Sequence, residues 1–207
     1  MLEYITAHPL SGVALLGLVA LTIFVCIKAY QSGKKRNEER ERIIAELERE
    51  KAIRNKYRNP DENSFSEDVD DYDFIIGMCA NVQMKIEKEA DMNSVFNELP
   101  EAKKFAYCFG YLFDDSKNKL SEFFRSNGEP LLSAAKEAVN SVIKGEFAEI
   151  FNSEFDMFDE NNEDVSVIES DVEFADNRFS KLMEGSSAEI YSSVAGYIRN
   201  NKNIFLD

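Results

Sequence analysis

The apolar residues of this chain follow two patterns, one continuous and one periodic. Between Leu10 and Ile27 the run LSGVALLGLVALTIFVCI contains no charged residue. From Tyr72 onward, apolar residues recur at the three- and four-residue spacing of helices, and the alternation typical of strands is missing. The sequence therefore predicts an all-α protein: an N-terminal transmembrane helix, a helical stalk and a compact, acidic multi-helix bundle.

The periodic part predicts about seven helices in a single cytoplasmic domain, residues 74–207. Pro100 and Pro130 are expected to open helices, and Gly145 and Gly185 to close them. The residues predicted to face the core are Ile75, Cys79, Val82, Ile86, Ala102, Phe105, Phe109, Leu112, Leu120, Phe123, Phe124, Leu132, Ala135, Val139, Val142, Ile143, Phe147, Ile150, Phe151, Phe174, Phe179, Leu182, Ile190, Val194, Tyr197 and Ile198. Arg178 marks the same helix as Phe174, Phe179 and Leu182.

The continuous apolar run predicts a membrane anchor over residues 10–30, since a helix needs roughly 20 such residues to cross a bilayer. A cleaved signal peptide is the alternative, but it would carry bases before the apolar run. Here Glu3 precedes the run and Lys34-Lys35-Arg36 follow it, which favours a retained anchor. Because basic flanks stay in the cytoplasm, we expect residues 1–9 outside and the remainder of the chain inside.

Two polar segments separate the anchor from the predicted bundle. Residues 34–58 are rich in strong helix formers and carry only a thin apolar stripe, which predicts a charged, solvated helical stalk. A basic collar on anionic lipid is the other interpretation of these residues. Residues 59–73 contain a proline, seven acids and no base. This composition predicts a flexible, self-repelling linker.

The charge of the chain is unevenly distributed. The net charge is −15, but residues 59–207 alone hold 13 bases and 32 acids, which gives −19. A domain of this charge repels nucleic acid and anionic lipid. Its expected partner is a basic protein, with no direct binding of nucleic acid.

The residues needed for common enzyme chemistry are missing from the predicted domain. The single histidine is His8, so Ser-His-Asp and Cys-His activation and the usual zinc ligand sets are excluded there. Cys79 and Cys108 fall on apolar helical faces and are predicted to be buried thiols rather than nucleophiles. No glycine-rich phosphate-binding motif occurs. We expect no catalytic residue, no cofactor and no metal.

One acidic loop has the beginning of a calcium-binding pattern. Asp159, Asn161 and Glu163 match the first three ligands of an EF-hand loop. Asp164 then replaces the required glycine, and Ser170 replaces the final bidentate glutamate. A solvated acidic loop is therefore the preferred interpretation.

A cluster of ten acids without a base spans residues 154–176. It is either a solvated face that keeps the domain soluble or a binding surface whose carboxylates imitate the closely spaced phosphates of duplex DNA. The candidate partner-binding residues are Glu154, Asp156, Asp159, Glu160, Glu163, Asp164, Glu169, Asp171, Glu173 and Asp176.

Three short motifs support a family resemblance over about residues 103–205. They are Asn118-Lys119-Leu120-Ser121-Glu122-Phe123-Phe124-Arg125-Ser126-Asn127-Gly128, Phe174-Ala175-Asp176-Asn177-Arg178-Phe179 and Ala195-Gly196-Tyr197-Ile198-Arg199-Asn200. With these motifs the domain resembles a bacterial family of unknown function whose best-known member is a DNA-mimic protein. The glycine pair of the family's turn is replaced by Lys119 and Leu120, and Glu122 stands where glutamine is usual. The resemblance implies an all-α fold and no enzymatic activity.

These observations lead to one main functional hypothesis. The chain is expected to be a single-pass protein of the bacterial inner (cytoplasmic) membrane, anchored in the bilayer through residues 10–30. Its cytoplasmic domain is expected to be a non-enzymatic interaction module that binds a basic partner, one candidate being a DNA-binding protein held by DNA mimicry. An immunity or envelope-stress protein that recognises its partner by shape is the alternative. A carboxylate-metal hydrolase ranks below both.

Overall fold

A computed structural model describes residues 9–158 and 167–206, and within residues 9–33 it describes only the side chains of Lys28 and Tyr30. The described residues contain helices and no strand, which confirms the all-α class. A 3-10 turn, Glu62–Phe65, lies between the first two helices. The helices are α1 (Pro9–Lys56), α2 (Asp71–Ile86), α3 (Met92–Glu98), α4 (Glu101–Asp115), α5 (Leu120–Ser126), α6 (Leu131–Val142), α7 (Glu146–Phe158), α8 (Glu169–Asn200) and α9 (Asn203–Leu206).

The chain divides into two compact units between Lys51 and Ala52. In the first unit, the side chains from Lys34 to Arg49 are exposed, as expected for a solvated helix. Among the residues described, none of the helices has an apolar stretch long enough to cross a membrane. The predicted anchor, residues 10–30, runs within α1, but nearly all of its side chains lie outside the described residues. The anchor therefore gains no support here and stays a prediction.

Helix α4 forms the centre of the second unit and contacts α2, α5, α6, α8 and α9. It can do so because its apolar residues are spread over more than one face. Its predicted core positions, Ala102, Phe105, Phe109 and Leu112, are all buried. Phe113, on another side of the same helix, makes an edge-to-face contact with Phe147 of α7 at 6.3 Å between ring centroids.

The helices that follow α4 also bury most of the residues that the periodicity predicted. Leu120, Phe123 and Phe124 of α5 are buried, as are Phe147, Ile150 and Phe151 of α7. In α6, Ala135 and Val139 are buried, whereas Leu132 and Val142 are only partly covered. Gly145 has a φ of 77°, the left-handed conformation that favours glycine, between α6 and α7.

Small residues allow α2 to pack closely on its neighbours. A Cβ atom added at Gly110 of α4 would overlap the side chain of Cys79 on α2. A Cβ atom added at Gly77 of α2 would overlap the ring of Tyr57, which follows α1 and is 1% exposed. Asn81 of α2 donates hydrogen bonds of 3.0 Å to the Tyr57 carbonyl and 3.1 Å to the next carbonyl, that of Arg58. The end of α1 is thereby part of the folded domain.

The acidic segment 59–73 is ordered against the domain, in contrast to the flexible linker that its composition predicts. The Asp61 carboxylate accepts a hydrogen bond from the Ser64 amide at 3.0 Å, and the Ser64 hydroxyl accepts one from the Asp61 amide at 3.1 Å. Together these two bonds form a capping box for the 3-10 turn. Phe65 is buried, with its ring centroid 5.7 Å from that of Phe74 and 6.3 Å from that of Phe205. The compact unit accordingly begins at Ala52 instead of residue 74.

Two bases near the C-terminal end of the described chain each form an ion pair with an acid of this segment. Arg199 of α8 forms an ion pair of 2.7 Å with Asp71, and its guanidinium lies over the Phe74 ring at 4.7 Å. Lys202 forms an ion pair of 2.6 Å with Glu62. Bases from a distant part of the sequence therefore offset part of the self-repulsion that predicted flexibility.

Helix α8 departs from the prediction in two ways. It continues for 32 residues through Gly185, where an end was expected. A glycine inside a helix costs about 1 kcal/mol, less than the burial of residues on both sides of it contributes, such as Phe179 before and Ile190 after. The placement of Phe174 in the core is wrong, because this side chain is 66% exposed and the buried face is formed by Val172, Ala175, Asp176 and Phe179.

Candidate functional site

The ten acids predicted to bind a partner fall into three groups. Two are buried in the domain, and four more are exposed on α7 or α8. The remaining four lie outside the described residues. The buried acids are Glu154 and Asp176, and the exposed acids are Asp156, Glu169, Asp171 and Glu173. The acids outside the described residues are Asp159, Glu160, Glu163 and Asp164.

Asp176 of α8 holds the beginning of α5. Its carboxylate accepts hydrogen bonds from the Ser121 amide at 2.9 Å and from the Ser121 hydroxyl at 2.8 Å. Lys119, at the N-cap position of α5, provides no side-chain cap of its own. A carboxylate from another helix therefore satisfies an amide in the first turn of α5, which gives Asp176 a structural role inside the domain.

Glu154 of α7 is fully buried, and neither of its carboxyl oxygens has a hydrogen-bond partner among the described residues. Burial and then the negative charge of Asp176 raise the pKa of this carboxyl from 4.5 to about 8, against a smaller opposing effect of Arg125. A neutral, protonated Glu154 is consequently the main form at pH 7. In this conformation Glu154 presents no carboxylate at the surface, and the carboxylate of Asp176, a residue 4% exposed, is engaged by Ser121.

Two of the exposed acids form ion pairs within the domain. Asp156 is 3.0 Å from the ammonium of Lys136, and Glu169 is 2.9 Å from the guanidinium of Arg125. Such exposed pairs contribute about 0–1 kcal/mol, so both acids can exchange partners at little cost. Neither Asp171 nor Glu173 has an ion pair with any base in the described part of the chain.

The first turns of α8 combine these acids with exposed apolar side chains. Phe174 points away from the buried face of the helix, and Val167 and Ile168 just before the helix are also exposed. Asp171, three residues before Phe174, lies on the same side of the helix. We refer to Val167, Ile168, Asp171, Glu173 and Phe174 as the α8 surface.

A polar cleft of about 460 Å³ lies beside this surface, between α5 and α8. Lys119 and Arg125 line it together with Glu169, Glu173 and Asp176, so bases and acids share the space. In the part of the chain that the structure describes, no three potential metal ligands among His, Cys, Asp and Glu lie close enough together to hold an ion. Most of the loop with the partial calcium-binding pattern, residues 159–170, lies outside that part.

The two thiols of the domain are buried, as predicted. Cys79 is 7% exposed and Cys108 is fully buried. Burial raises the pKa of the Cys79 thiol to about 12 and raises the pKa of Cys108 as well. Both are therefore protonated near neutral pH, whereas a cysteine nucleophile requires the thiolate.

The motif that carries the family resemblance, residues 118–128, forms α5 and its flanking turns. Its phenylalanines serve the core: Phe123 and Phe124 both pack on the Phe151 ring, with centroids 6.2 and 5.2 Å away. Fold and site together define an acidic, all-helical protein with a partly apolar surface at the start of α8. No protein-family model, curated protein or solved structure matches the chain. The resemblance over residues 103–205 accordingly stays a prediction.

Proposed function

We propose that this protein is a membrane-anchored, non-enzymatic interaction module that binds a basic cytoplasmic protein through the α8 surface. The exposure of Phe174 carries the proposal. A solvated acidic face needs no phenylalanine, whereas protein interfaces centre on aromatic residues surrounded by polar ones. Here the Phe174 side chain is 66% exposed, and two acids in the same turn of α8, Asp171 and Glu173, form no ion pair with any described base.

The charge of the domain supports a basic partner. Even if every base in residues 59–207 neutralised one acid, the excess would be 19 negative charges. Such a field accelerates encounter with a basic protein and disfavours acidic ones. The narrower idea of DNA mimicry draws less support, because Glu154 and Asp176 are buried and only four acids of the cluster are described at the surface.

The anchor remains part of the proposal on the strength of the sequence. We propose that residues 10–30 lie in the bilayer, and that the domain remains on the side where Lys34-Lys35-Arg36 are retained. A protease-sensitive tag at the C-terminus of the full chain tests this topology in intact bacterial cells. We expect protection until the cells are opened, and cleavage in intact cells would refute the topology.

The binding proposal is tested with three versions of the tagged full-length chain, captured from cells with their partners. The first is unchanged, the second carries Phe174→Ser, and the third carries Asp171→Asn and Glu173→Gln. Loss of an interface aromatic commonly costs about 2 kcal/mol or more, so Phe174→Ser should reduce capture of a specific basic partner at least tenfold. Because Phe174 is exposed, its replacement should leave the stability of the domain unchanged.

A matched control removes the same number of charges elsewhere through Glu149→Gln and Glu184→Gln, both at exposed positions. This control should retain the partner, and raised salt should weaken the wild-type complex. The proposal fails if captured proteins are no more basic than the proteome or if Phe174→Ser captures the same set.

The exposure of Phe174 is also compatible with the alternative function, in which the partner is recognised by shape. If Phe174→Ser abolishes capture while the Asp171 and Glu173 substitutions leave it intact, shape decides the partner more than charge does. That outcome is the one expected of an immunity or envelope-stress protein.

A further inference from the structure

A second cavity lies away from the α8 surface, where four segments of the domain meet. It has a volume of about 330 Å³ and is partly open to solvent. The segments are the end of α2, helix α3, helix α4 and the turn between α5 and α6. We call this cavity the aromatic groove.

Three aromatic rings form the wall of the groove. The ring centroids of Tyr107 and Tyr111, one turn apart on α4, are 4.7 Å apart, and the centroid of Phe96 on α3 is 5.5 Å from that of Tyr107. Phe96 is buried, whereas both tyrosines are partly exposed to the groove. Ring faces presented to a cavity attract a cation through their quadrupole, most strongly where water is partly excluded.

The charged residues that line the groove are all acidic. They are Glu87 at the end of α2 and Glu129 before α6. The ammonium of Lys104 lies 5.8 Å from the Phe96 ring centroid but does not line the groove, so the rings of Tyr107 and Tyr111 are the ones offered to a ligand. Both carboxylates already accept hydrogen bonds from neutral groups, at 2.7 Å from the Gln83 amide and 2.7 Å from the Ser133 hydroxyl. Neither is neutralised by an ion pair in the described part of the chain.

We infer that the aromatic groove binds an arginine side chain of a basic polypeptide. A guanidinium is planar, stacks on aromatic faces and pairs with carboxylates, so it matches rings and acids in one cavity better than an ammonium does. This inference rests on the proposed function for the basic partner but assigns it a second site, with different residues.

The groove and the cleft both adjoin helix α5. Arg125 near the end of α5 borders the cleft with α8, while Asn127 and Gly128 just after it line the groove. The basic partner proposed above is a polypeptide, so it can supply an arginine side chain to the groove.

The test uses the full-length chain in phosphatidylcholine nanodiscs and two fluorescent peptides of equal length and charge, one alternating glycine with arginine and one alternating glycine with lysine. Fluorescence anisotropy gives the Kd of each peptide at low and at raised salt. We expect the arginine peptide to bind about three- to tenfold more tightly than the lysine peptide. The preference should persist at raised salt, where exposed charges are screened. Empty nanodiscs measure binding to lipid.

Three double variants of the groove and one control pair test whether the groove causes the preference for arginine. Glu87→Gln with Glu129→Gln removes the acids of the groove and should weaken the arginine peptide more than the control pair Glu149→Gln with Glu184→Gln. Tyr107→Leu with Tyr111→Leu should abolish the preference for arginine, and Tyr107→Phe with Tyr111→Phe should restore it. Circular dichroism checks that each variant is folded.

Equal binding of the two peptides, or equal effects of the groove and control pairs, would overturn the inference. The acid pair keeps the test decisive if the leucine variant fails to fold, because both glutamates are exposed. Binding by neither peptide also rejects the groove. The proposed function is decided separately, by capture of intact partners with and without Phe174→Ser.

Discussion

The buried carboxyl of Glu154 predicts a pH dependence of stability that a single substitution can isolate. Folding raises the pKa of this group from 4.5 to about 8. Each tenfold change in an ionisation constant corresponds to about 1.4 kcal/mol, so the proton contributes on the order of 5 kcal/mol to the folded state. The contribution is full below pH 4.5, where folded and unfolded chains both carry the proton. It declines as the pH rises and is lost at about pH 8, where the folded chain also ionises.

Glu154→Gln replaces the carboxyl with a neutral group of nearly the same shape. Because glutamine does not titrate, the unfolding free energy of wild type relative to the variant should fall by about 3–4 kcal/mol between pH 5 and pH 8. The assay is urea unfolding of the full-length chain at several pH values, followed by the near-ultraviolet circular dichroism of the tyrosines. All other titrating groups are the same in the two proteins, so their contributions cancel when the two unfolding free energies are subtracted.

A second substitution tests the origin of the effect. Asp176 contributes to the raised pKa of Glu154 through its negative charge. Asp176→Asn retains an oxygen that can accept from Ser121 but removes the charge, so the pKa of Glu154 should fall and the pH-dependent difference should shrink. The reasoning is refuted if wild type and Glu154→Gln show parallel pH profiles. It is also refuted if an infrared band of a protonated carboxyl, absent in Glu154→Gln, is missing at neutral pH.

Three further predictions concern packing, long-range order and the thiols. Gly110→Ala should lower the unfolding free energy by about 1–3 kcal/mol, because the added methyl group overlaps the Cys79 side chain of α2. Gly185→Ala should raise the unfolding free energy by about 0.5–1 kcal/mol, because this helical position has open space around it. Equal effects of the two substitutions in urea unfolding would contradict this prediction. Arg199→Ala should lower the unfolding free energy by about 1.5–3 kcal/mol. It should also increase amide hydrogen exchange in residues 61–71, and unchanged exchange there would refute the role of Arg199 in holding this segment. Cys108 should resist maleimide at neutral pH until the domain is unfolded, as judged by peptide mass spectrometry, since burial raises its pKa and blocks access.

Most of the helices could be predicted because their apolar residues repeat over two turns or more, as in α4 and α7. The same periodicity contained a signal for Glu154 that was missed. Phe147, Ile150, Phe151, Glu154 and Phe155 follow the spacing of one helical face, and all five are buried. A glutamate at such a position is better interpreted as a core residue with a raised pKa than as part of an acidic surface.

The ordered segment 59–73 was beyond the reach of local patterns. Its composition resembles that of a flexible linker, and the bases that hold it are distant in sequence. Arg199 is 128 residues from its partner Asp71, and Lys202 is 140 residues from its partner Glu62. Pairings of that separation leave no periodic trace. The cap that Asp176 provides for α5, 55 residues away, was hidden for the same reason.

Phe174 was assigned to the wrong face of helix α8, and helix α3 was missed, for more local reasons. Phe174 and Phe179 are both aromatic, so the sequence allowed either residue to mark the buried face of the helix. Only Phe179 has helical spacing to Val172 and Ala175, which are the residues that are buried with it. Helix α3 buries only Phe96 and is too short to show a period. Its start could have been recognised from Asp91, whose side chain accepts from the Ser94 amide at 3.1 Å.

Charge alone cannot direct a partner to one place on this domain, because acids occur on every helix from α2 to α8. A field of that kind sets the rate of encounter and its salt dependence, while the site of docking is chosen by contacts that exist only there. The described surface offers two such contacts, the exposed ring of Phe174 and the paired rings of Tyr107 and Tyr111. Variants at these aromatic residues should therefore change which partner is held, and variants at scattered acids should change mainly how fast it arrives.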